Sequence, residues 1–163
     1  MNIRTATLQD IDQIAAVEKE CFPAAEAATK EEFEQRLSHY ADHFWLMFDG
    51  DKLIAFVDGF VTDEEDLTDE MYAKAQLHNE NGAWQMIFGV ATLPAYQKMG
   101  CASKLMEHVV EDVKAQGRKG IVLTCKESLI PFYEKFGYIN EGKSMSKHGG
   151  AVWYDMRLVF EEL

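Results

Sequence analysis

One segment constrains the fold more than any other: an apolar run leads into a glycine-containing turn and then into a helix. Residues 84–93 are strongly apolar and are interrupted by Gly89, which in a strand marks a bulge or a close backbone approach. The turn is Gln97–Ala102, and from Ala102 to Gly117 apolar residues recur at helical spacing. This order of strand, tight turn and amphipathic helix predicts an α/β fold.

Local patterns predict the other elements. Turn residues, capping residues and apolar periodicity predict, in the first part of the chain, a strand at Asn2–Thr7, a helix capped by Thr7, an irregular link at Cys21–Ala28, a helix opened by the Thr29–Glu32 capping box, and a hairpin of residues 44–48 and 53–57 around Asp49–Asp51. An acidic stretch follows that permits a helix after Asp66. The second part is predicted to contain a strand at 121–125, a helix capped by Ser128, with Leu129, Phe132, Tyr133 and Phe136 on one face, and strands at about 138–145 and 151–159.

Length and charge narrow the function classes. A chain of 163 residues fits one domain, 1–163, and a net charge of −12 argues against a nucleic-acid-binding surface. No apolar stretch approaches the roughly 18 residues that span a membrane, and the first residues do not resemble a signal peptide, so we expect a cytoplasmic protein without membrane contact. The scattered Cys21, Cys101 and Cys125 and the five histidines predict neither disulfides nor a metal site.

The turn before the helix has the features of an anion site. Gly100 allows a tight turn, the small Ala102 allows close approach, and the amides at the helix start point toward one anion. The helix dipole adds about half a positive charge, which lets an acidic protein hold an anionic cofactor. A purely structural loop remains the alternative on spacing alone.

Two runs carry a resemblance to a known family. Phe88–Ala102 resembles motif A of the GNAT acetyltransferases, a strand followed by Q/R-x-x-G-x-G/A, with Ala102 in place of the second glycine. Cys125–Tyr138 resembles motif B of the same family. Together with Val17–Phe22, motif B is similar to the arylalkylamine N-acetyltransferase branch. That branch carries two histidines on the strand before the loop, where this chain has Met86 and Phe88.

The resemblance implies a fold and a cofactor. The implied fold is α/β, with a mixed, mostly antiparallel sheet, a central splayed parallel strand pair at residues 84–93 and 120–125, and about four flanking helices. The implied cosubstrate is acetyl-CoA. Its pantetheine would pair with the backbone of residues 90–92, and its pyrophosphate would bind the loop; the implied contacts are Val90, Ala91, Thr92, Gln97, Lys98, Met99, Gly100, Cys101, Ala102 and Ser103.

Acetyl transfer also needs an acid, an oxyanion donor and a neutral amine. The resemblance places the Tyr133 hydroxyl beside the coenzyme sulfur as the acid. Spacing alone favours a buried core tyrosine instead. We expect the backbone N–H of Val90, freed by a bulge at Gly89, to be the donor. Glu26 is one candidate base, although it is more often simply a surface carboxylate, and a water chain is an equal alternative.

The sequence is compatible with several classes of acetyl acceptor. Phe22, Pro23, Met86 and Phe88 are expected to line an apolar acceptor site, although aromatic residues on a strand are more often plain core. A small aralkyl amine or polyamine, a protein N-terminus or lysine, and a non-catalytic acyl-CoA sensor all fit the fold. The acidic residues 63–70 form a solvated face or attract a cationic amine. A monomer and a homodimer are both compatible with the sequence.

Overall fold

The computed structural model describes residues 1–161, which form two compact units. The first unit comprises Met1–Gly59 and Gly89–Val109, and the second comprises Phe60–Phe88 and the described residues from Val110 onward. Each unit has its own sheet. The prediction of one domain spanning 1–163 stays a prediction.

Five α-helices and nine strands occur in residues 1–161. Their bounds are β1 (Asn2–Thr5), α1 (Ile11–Cys21), α2 (Lys30–Tyr40), β2 (Phe44–Asp49), β3 (Lys52–Asp58), β4 (Val61–Thr62), α3 (Asp69–Ala73), β5 (Trp84–Ile87), β6 (Gly89–Thr92), α4 (Cys101–Ala115), β7 (Gly120–Cys125), α5 (Ile130–Glu134), β8 (Ile139–Lys143) and β9 (Tyr154–Val159). No helix in this part of the chain has the length and apolar character needed to cross a membrane.

The sheet of the first unit is antiparallel, in the order β1-β2-β3-β6. The predicted hairpin is confirmed: β2 and β3 pair around Gly50, whose φ of 60° is the left-handed conformation that favours glycine. The predicted capping box at α2 is also confirmed, because Thr29 accepts from the Glu32 amide while Glu32 accepts from the Thr29 amide.

Aromatic packing fixes α2 onto this sheet. The buried ring of Phe33 makes edge contacts with Phe44 at 6.1 Å and with Phe56 at 5.9 Å between centroids. Helix α1 buries Ile14 and Val17. This fixed core holds the ends of α1, α2 and β3 in defined positions.

The sheet of the second unit has the order β4-β5-β7-β9-β8, and β5–β7 is its parallel pair. The parallel register ends at Ile87 and Leu123; after Phe88 the chain continues as β6, which pairs with β3. The predicted mixed, mostly antiparallel fold with one parallel strand pair is therefore confirmed.

Several predicted boundaries are wrong in detail. Ser128 does not cap the last helix, since it lies within a 3-10 turn at Glu127–Leu129 that precedes α5. Leu129 is 46% exposed, so it does not share a buried face with Tyr133. The strand predicted for residues 84–93 is two strands, and the sequence analysis missed β4.

Candidate functional site

Strand β6 is the edge strand of the first sheet, and its register with β3 leaves the amides of alternate residues outside the ladder. The Leu93 amide donates to the Ile54 carbonyl, so these two residues form a hydrogen-bonded pair of the antiparallel ladder. Because such pairs alternate with non-hydrogen-bonded ones, the pairs that Ala91 and Gly89 form with β3 are also hydrogen-bonded. Val90 and Thr92 belong to the alternating pairs, whose N–H and C=O groups point away from β3. The amide of Val90 is therefore outside the β3 ladder because of edge position and register, whereas the sequence analysis expected a bulge.

Gly89 is required by a close approach. A Cβ at this position would lie 2.8 Å from Oδ1 of Asp58 and 4.0 Å from Oε1 of Glu18. Any side chain there would displace the Asp58 carboxylate from its buried position. Two carboxylate oxygens thus face the backbone immediately before Val90.

The loop from Gln97 to Ala102 leads into α4 with an unusual backbone. Lys98 has φ 64° and Gly100 has φ 79°, and no other non-glycine residue in the described chain has positive φ. The first bond of the helix runs from the Lys104 amide to the Gly100 carbonyl. The amides of Cys101, Ala102 and Ser103 therefore have no carbonyl partner within the helix, as at any helix N-terminus. This backbone can hold an anion.

Side chains fix the loop to the first sheet. The Gln97 side-chain amide donates to the Thr92 carbonyl at 3.1 Å, and the Tyr96 hydroxyl donates to Asp49 at 2.8 Å. Lys98, Met99 and Gly100 are exposed, and Cys101 is buried. The loop is consequently anchored at its start while its turn faces solvent.

The link between α1 and α2 holds the other predicted residues of this unit. The Cys21 thiol donates to the Thr92 carbonyl at 3.3 Å, and its burial raises its pKa to about 11. Phe22 and Glu26 are half-buried and Pro23 is exposed. The link therefore starts at β6, next to the candidate pantetheine strand.

The first unit also buries a cluster of charges that the sequence analysis missed. Arg36 pairs with Asp58 at 3.1 Å, with both side chains almost fully buried, and Oε2 of Glu18 accepts from the Ala28 amide at 2.9 Å. Oε1 of Glu18 and Oδ1 of Asp58 are buried without a hydrogen-bond partner. Periodicity offered a signal: Glu18 falls one turn after Ile14, on the apolar face of α1.

Burial sets the protonation of this cluster. It raises the pKa of Glu18 to about 7; the Ala28 amide opposes the shift, Asp58 adds to it, and Arg36 opposes it. Burial also raises the pKa of Asp58 to about 6, against the lowering effect of Arg36. Glu18 therefore titrates near neutral pH.

Tyr133, the predicted acid, lies in the second unit on α5. Its side chain is 4% exposed and contacts Phe132 and Tyr138 edge-on. Burial, with smaller contributions from Cys125 and Tyr72, holds its pKa well above the ordinary tyrosine value. The hydroxyl therefore stays protonated at neutral pH, which suits a proton donor and excludes a resting base.

A row of rings lies in the second unit. Its members are Phe60, Phe88, Tyr72, His148 and Trp153, with successive centroids between 4.8 and 6.0 Å apart. Tyr72 and His148 stack with an interplanar angle of 9°, and the Tyr72 hydroxyl is 3.1 Å from Oγ1 of Thr124. Phe88 belongs to this row, whereas Met86 is fully buried in the sheet.

An acidic groove borders the row. Its volume is about 720 Å³, and Phe60 lines both features. The acidic lining residues are Asp63, Glu64, Glu65, Asp66 and Glu70. This part of the second unit therefore presents negative charge beside aromatic rings.

Comparison with known proteins identifies the family. The sequence profile of the Acetyltransferase (GNAT) family matches residues 9–138. The chain belongs to this family of acyltransferases. Among curated proteins it is similar to the serotonin N-acetyltransferase of Mesocricetus auratus, with 27% identity over 158 residues, or 94% of this chain and 75% of that protein.

Solved structures share the fold. The loading GNATL domain of CurA from Lyngbya majuscula has a TM-score of 0.83 at 16% identity, covering 97% of this chain and 96% of that domain. A GphF GNAT-like decarboxylase, solved in complex with isobutyryl-CoA, has a TM-score of 0.77 at 16% identity, covering 98% of this chain and 99% of that one. A coenzyme-A-based cosubstrate is consistent with this family.

Proposed function

We propose that this protein transfers the acetyl group of acetyl-CoA to the nitrogen of a small primary amine, an aralkyl amine or a polyamine. The observation that carries the proposal is the backbone of the first unit, in which β6 leads through a loop with two positive φ values to the α4 amides that have no partner within the helix. The cosubstrate supplies an activated acyl carbon. The rest of the chemistry requires positioning and proton transfer by the chain.

In this proposal the backbone of residues 90–92 holds pantetheine and residues 97–103 hold the pyrophosphate. The Val90 N–H lies outside the ladder with β3 and donates to the developing oxyanion. The Tyr133 hydroxyl donates its proton to the departing thiolate. The ordinary pKa of a tyrosine already exceeds that of a thiol, and burial raises the pKa of Tyr133 further. The proton therefore moves to sulfur as the C–S bond breaks.

The second unit supports the choice of acceptor. Its row of rings suits an aralkyl group, and the acidic groove beside it attracts an ammonium ion. The similarity to a serotonin N-acetyltransferase favours the same class of amine. Of the residues predicted to line the acceptor site, Phe22 and Phe88 are half-buried, Pro23 is exposed and Met86 is fully buried.

A panel of acceptors tests this function. Thiol release from acetyl-CoA is measured with aralkyl amines, polyamines, and peptides that carry a free N-terminus or a lysine. We expect release with an aralkyl amine or polyamine, and formation of the N-acetyl product by mass spectrometry. Release only with peptides would replace the small amine by a protein substrate, and binding of acetyl-CoA without release would indicate a sensor.

A further inference from the structure

Two buried carboxylate oxygens that have no hydrogen-bond partner, one from Glu18 and one from Asp58, lie at one place in the first unit. Oε1 of Glu18 and Oδ1 of Asp58 both lie within 4.0 Å of the point where a Cβ on Gly89 would be. Buried polar atoms are nearly always paired, so two unpaired acceptors at one point call for an explanation. A hydrogen-bond donor arriving there provides one.

The place is next to the candidate oxyanion donor. Gly89 directly precedes Val90, whose amide is outside the β3 ladder. When the carbonyl oxygen of the acetyl group accepts from the Val90 amide, the acceptor nitrogen attacks the acetyl carbon close to the same backbone. A base must reach that nitrogen's proton directly or through one water molecule.

Glu18 and Asp58 differ in their freedom to accept a proton. Asp58 is 1% exposed and is paired with the buried Arg36, so protonation would break an ion pair. Glu18 holds only the Ala28 amide, through its other oxygen. The carboxyl of Glu18 is thus fixed in position with one acceptor oxygen unused.

Resting on the proposed function, we infer that Glu18 is the general base that accepts the proton of the acceptor amine. The amine lone pair forms the N–C bond, the carbonyl π pair moves to oxygen, and one N–H proton passes to Oε1 of Glu18, directly or through one water. The C–S pair then leaves on sulfur, which takes the Tyr133 proton. Glu18 releases its proton to solvent and tyrosinate regains one.

Electrostatics around Glu18 suit this role. Arg36 and Glu32 on α2, Asp58 on β3 and Cys21 on α1 are the charged or titratable groups that face it. Burial is the main cause of a pKa of about 7, and the Ala28 amide, followed by Arg36, keeps the shift from going further. A base with such a pKa is half-ionised near neutral pH, where proton acceptance is most effective.

The test compares Glu18→Gln with Glu26→Gln, which removes the competing candidate base, and with the control Glu20→Gln at an exposed position of α1. It uses the amine found in the panel and saturating acetyl-CoA. Glutamine retains an oxygen for the Ala28 amide, so the fold should persist. We expect wild-type kcat to rise with pH through an apparent pKa of about 7. In Glu18→Gln, kcat should fall about 10²-fold and this limb should disappear, with little change in the KM for acetyl-CoA. Glu20→Gln should leave both unchanged, and in Glu26→Gln the limb should persist.

Several outcomes overturn the inference. Loss of the limb in Glu26→Gln would assign the base to Glu26, and an unchanged limb in Glu18→Gln, even at a lower rate, would reduce Glu18 to a structural group. An inactive wild type across the panel would overturn acetyl transfer itself, and the base role with it. If Glu18→Gln does not fold, ¹³C NMR of the wild-type carboxyl decides: titration near 7 supports the role, and an ordinary glutamate value of about 4.3 contradicts it.

Discussion

The two units bury polar groups in opposite ways. The first buries ions: Arg36 is paired with Asp58, and Glu18 lies beside them with an unused oxygen. The second buries neutral hydroxyls among aromatic rings, with Tyr133 and Tyr138 in edge contact. Free backbone amides suit anion binding, and a carboxylate with an unused oxygen suits proton acceptance. A protonated phenol suits proton donation. The comparison predicts that variants of the two units will fail in different ways.

The largest effect should come from Gly100→Val. At φ 79° a β-branched residue is strained, although no atom lies within 4 Å of the added Cβ, so the loop should change conformation while the fold persists. Loss of two amide bonds to a charged phosphate, each contributing about 1.5–3 kcal/mol, should weaken coenzyme A binding roughly 10³-fold.

Calorimetry with coenzyme A measures this effect. Gly50→Val is the matched control in the same unit, because Gly50 also has positive φ and open space around the added Cβ but lies in the hairpin turn. Unchanged affinity in a folded Gly100→Val would remove the loop from the cofactor site.

Asp58→Asn should be the most destabilising change in the charge cluster. It leaves Arg36 as a buried cation without its carboxylate, which costs about 3–5 kcal/mol. Urea unfolding at neutral pH measures the loss. The matched control is Asp12→Asn, which breaks the exposed ion pair between α1 and α2 at Lys30 and should leave the unfolding midpoint nearly unchanged. Equal effects in both variants would show that burial of the pair is unimportant.

Tyr133→Phe tests the second unit. The ring and its packing remain, so stability and coenzyme A affinity should change little, while kcat should fall by about 10²-fold. Tyr138→Phe is the control, since that tyrosine is equally buried and contacts Tyr133. Steady-state rates near parent level in Tyr133→Phe would leave the phenol as packing alone.

A smaller effect of opposite sign is expected for the stability of Glu18→Gln. Folding raises the pKa of Glu18 from 4.5 to about 7, so its contribution to stability is present below 4.5 and is lost as pH rises through 7. Glutamine has no such dependence. The variant should gain about 1–3 kcal/mol over wild type above pH 8, and this gain should vanish below pH 4.5.

Thermal unfolding as a function of pH measures this difference. Glu20→Gln, an exposed neighbour on α1, should show no such trend. A pH-independent difference between Glu18→Gln and wild type would show that the carboxyl is not desolvated in the folded protein.

Local chemistry made part of the structure predictable from the sequence. The capping box at Thr29 and the turn at Gly50 are determined by neighbouring residues, and both are present. The loop through Gly100 could also be located, because its glycine and the following helix are local signals. A glycine inside a strand predicted a close approach at Gly89, but nothing in the sequence identified Asp58 as the group that approaches.

The rest depends on contacts between distant parts of the chain. Glu18 and Glu20 are indistinguishable by residue type, yet one is buried against Asp58 and the other is exposed. The two-residue strand β4 exists because β5 pairs with it, and its own sequence carries little periodicity. Leu129 looked like a core residue, but the 3-10 turn before α5 directs it to solvent.

The most direct test of the proposed cofactor site is a titration of ¹⁵N-labelled protein with acetyl-CoA, followed by amide NMR. We expect the largest shifts at residues 97–103 and at the amides of Val90 and Thr92, with small shifts at the buried amides of β2. Saturable binding that leaves the amides of residues 97–103 and Val90 unshifted would contradict it.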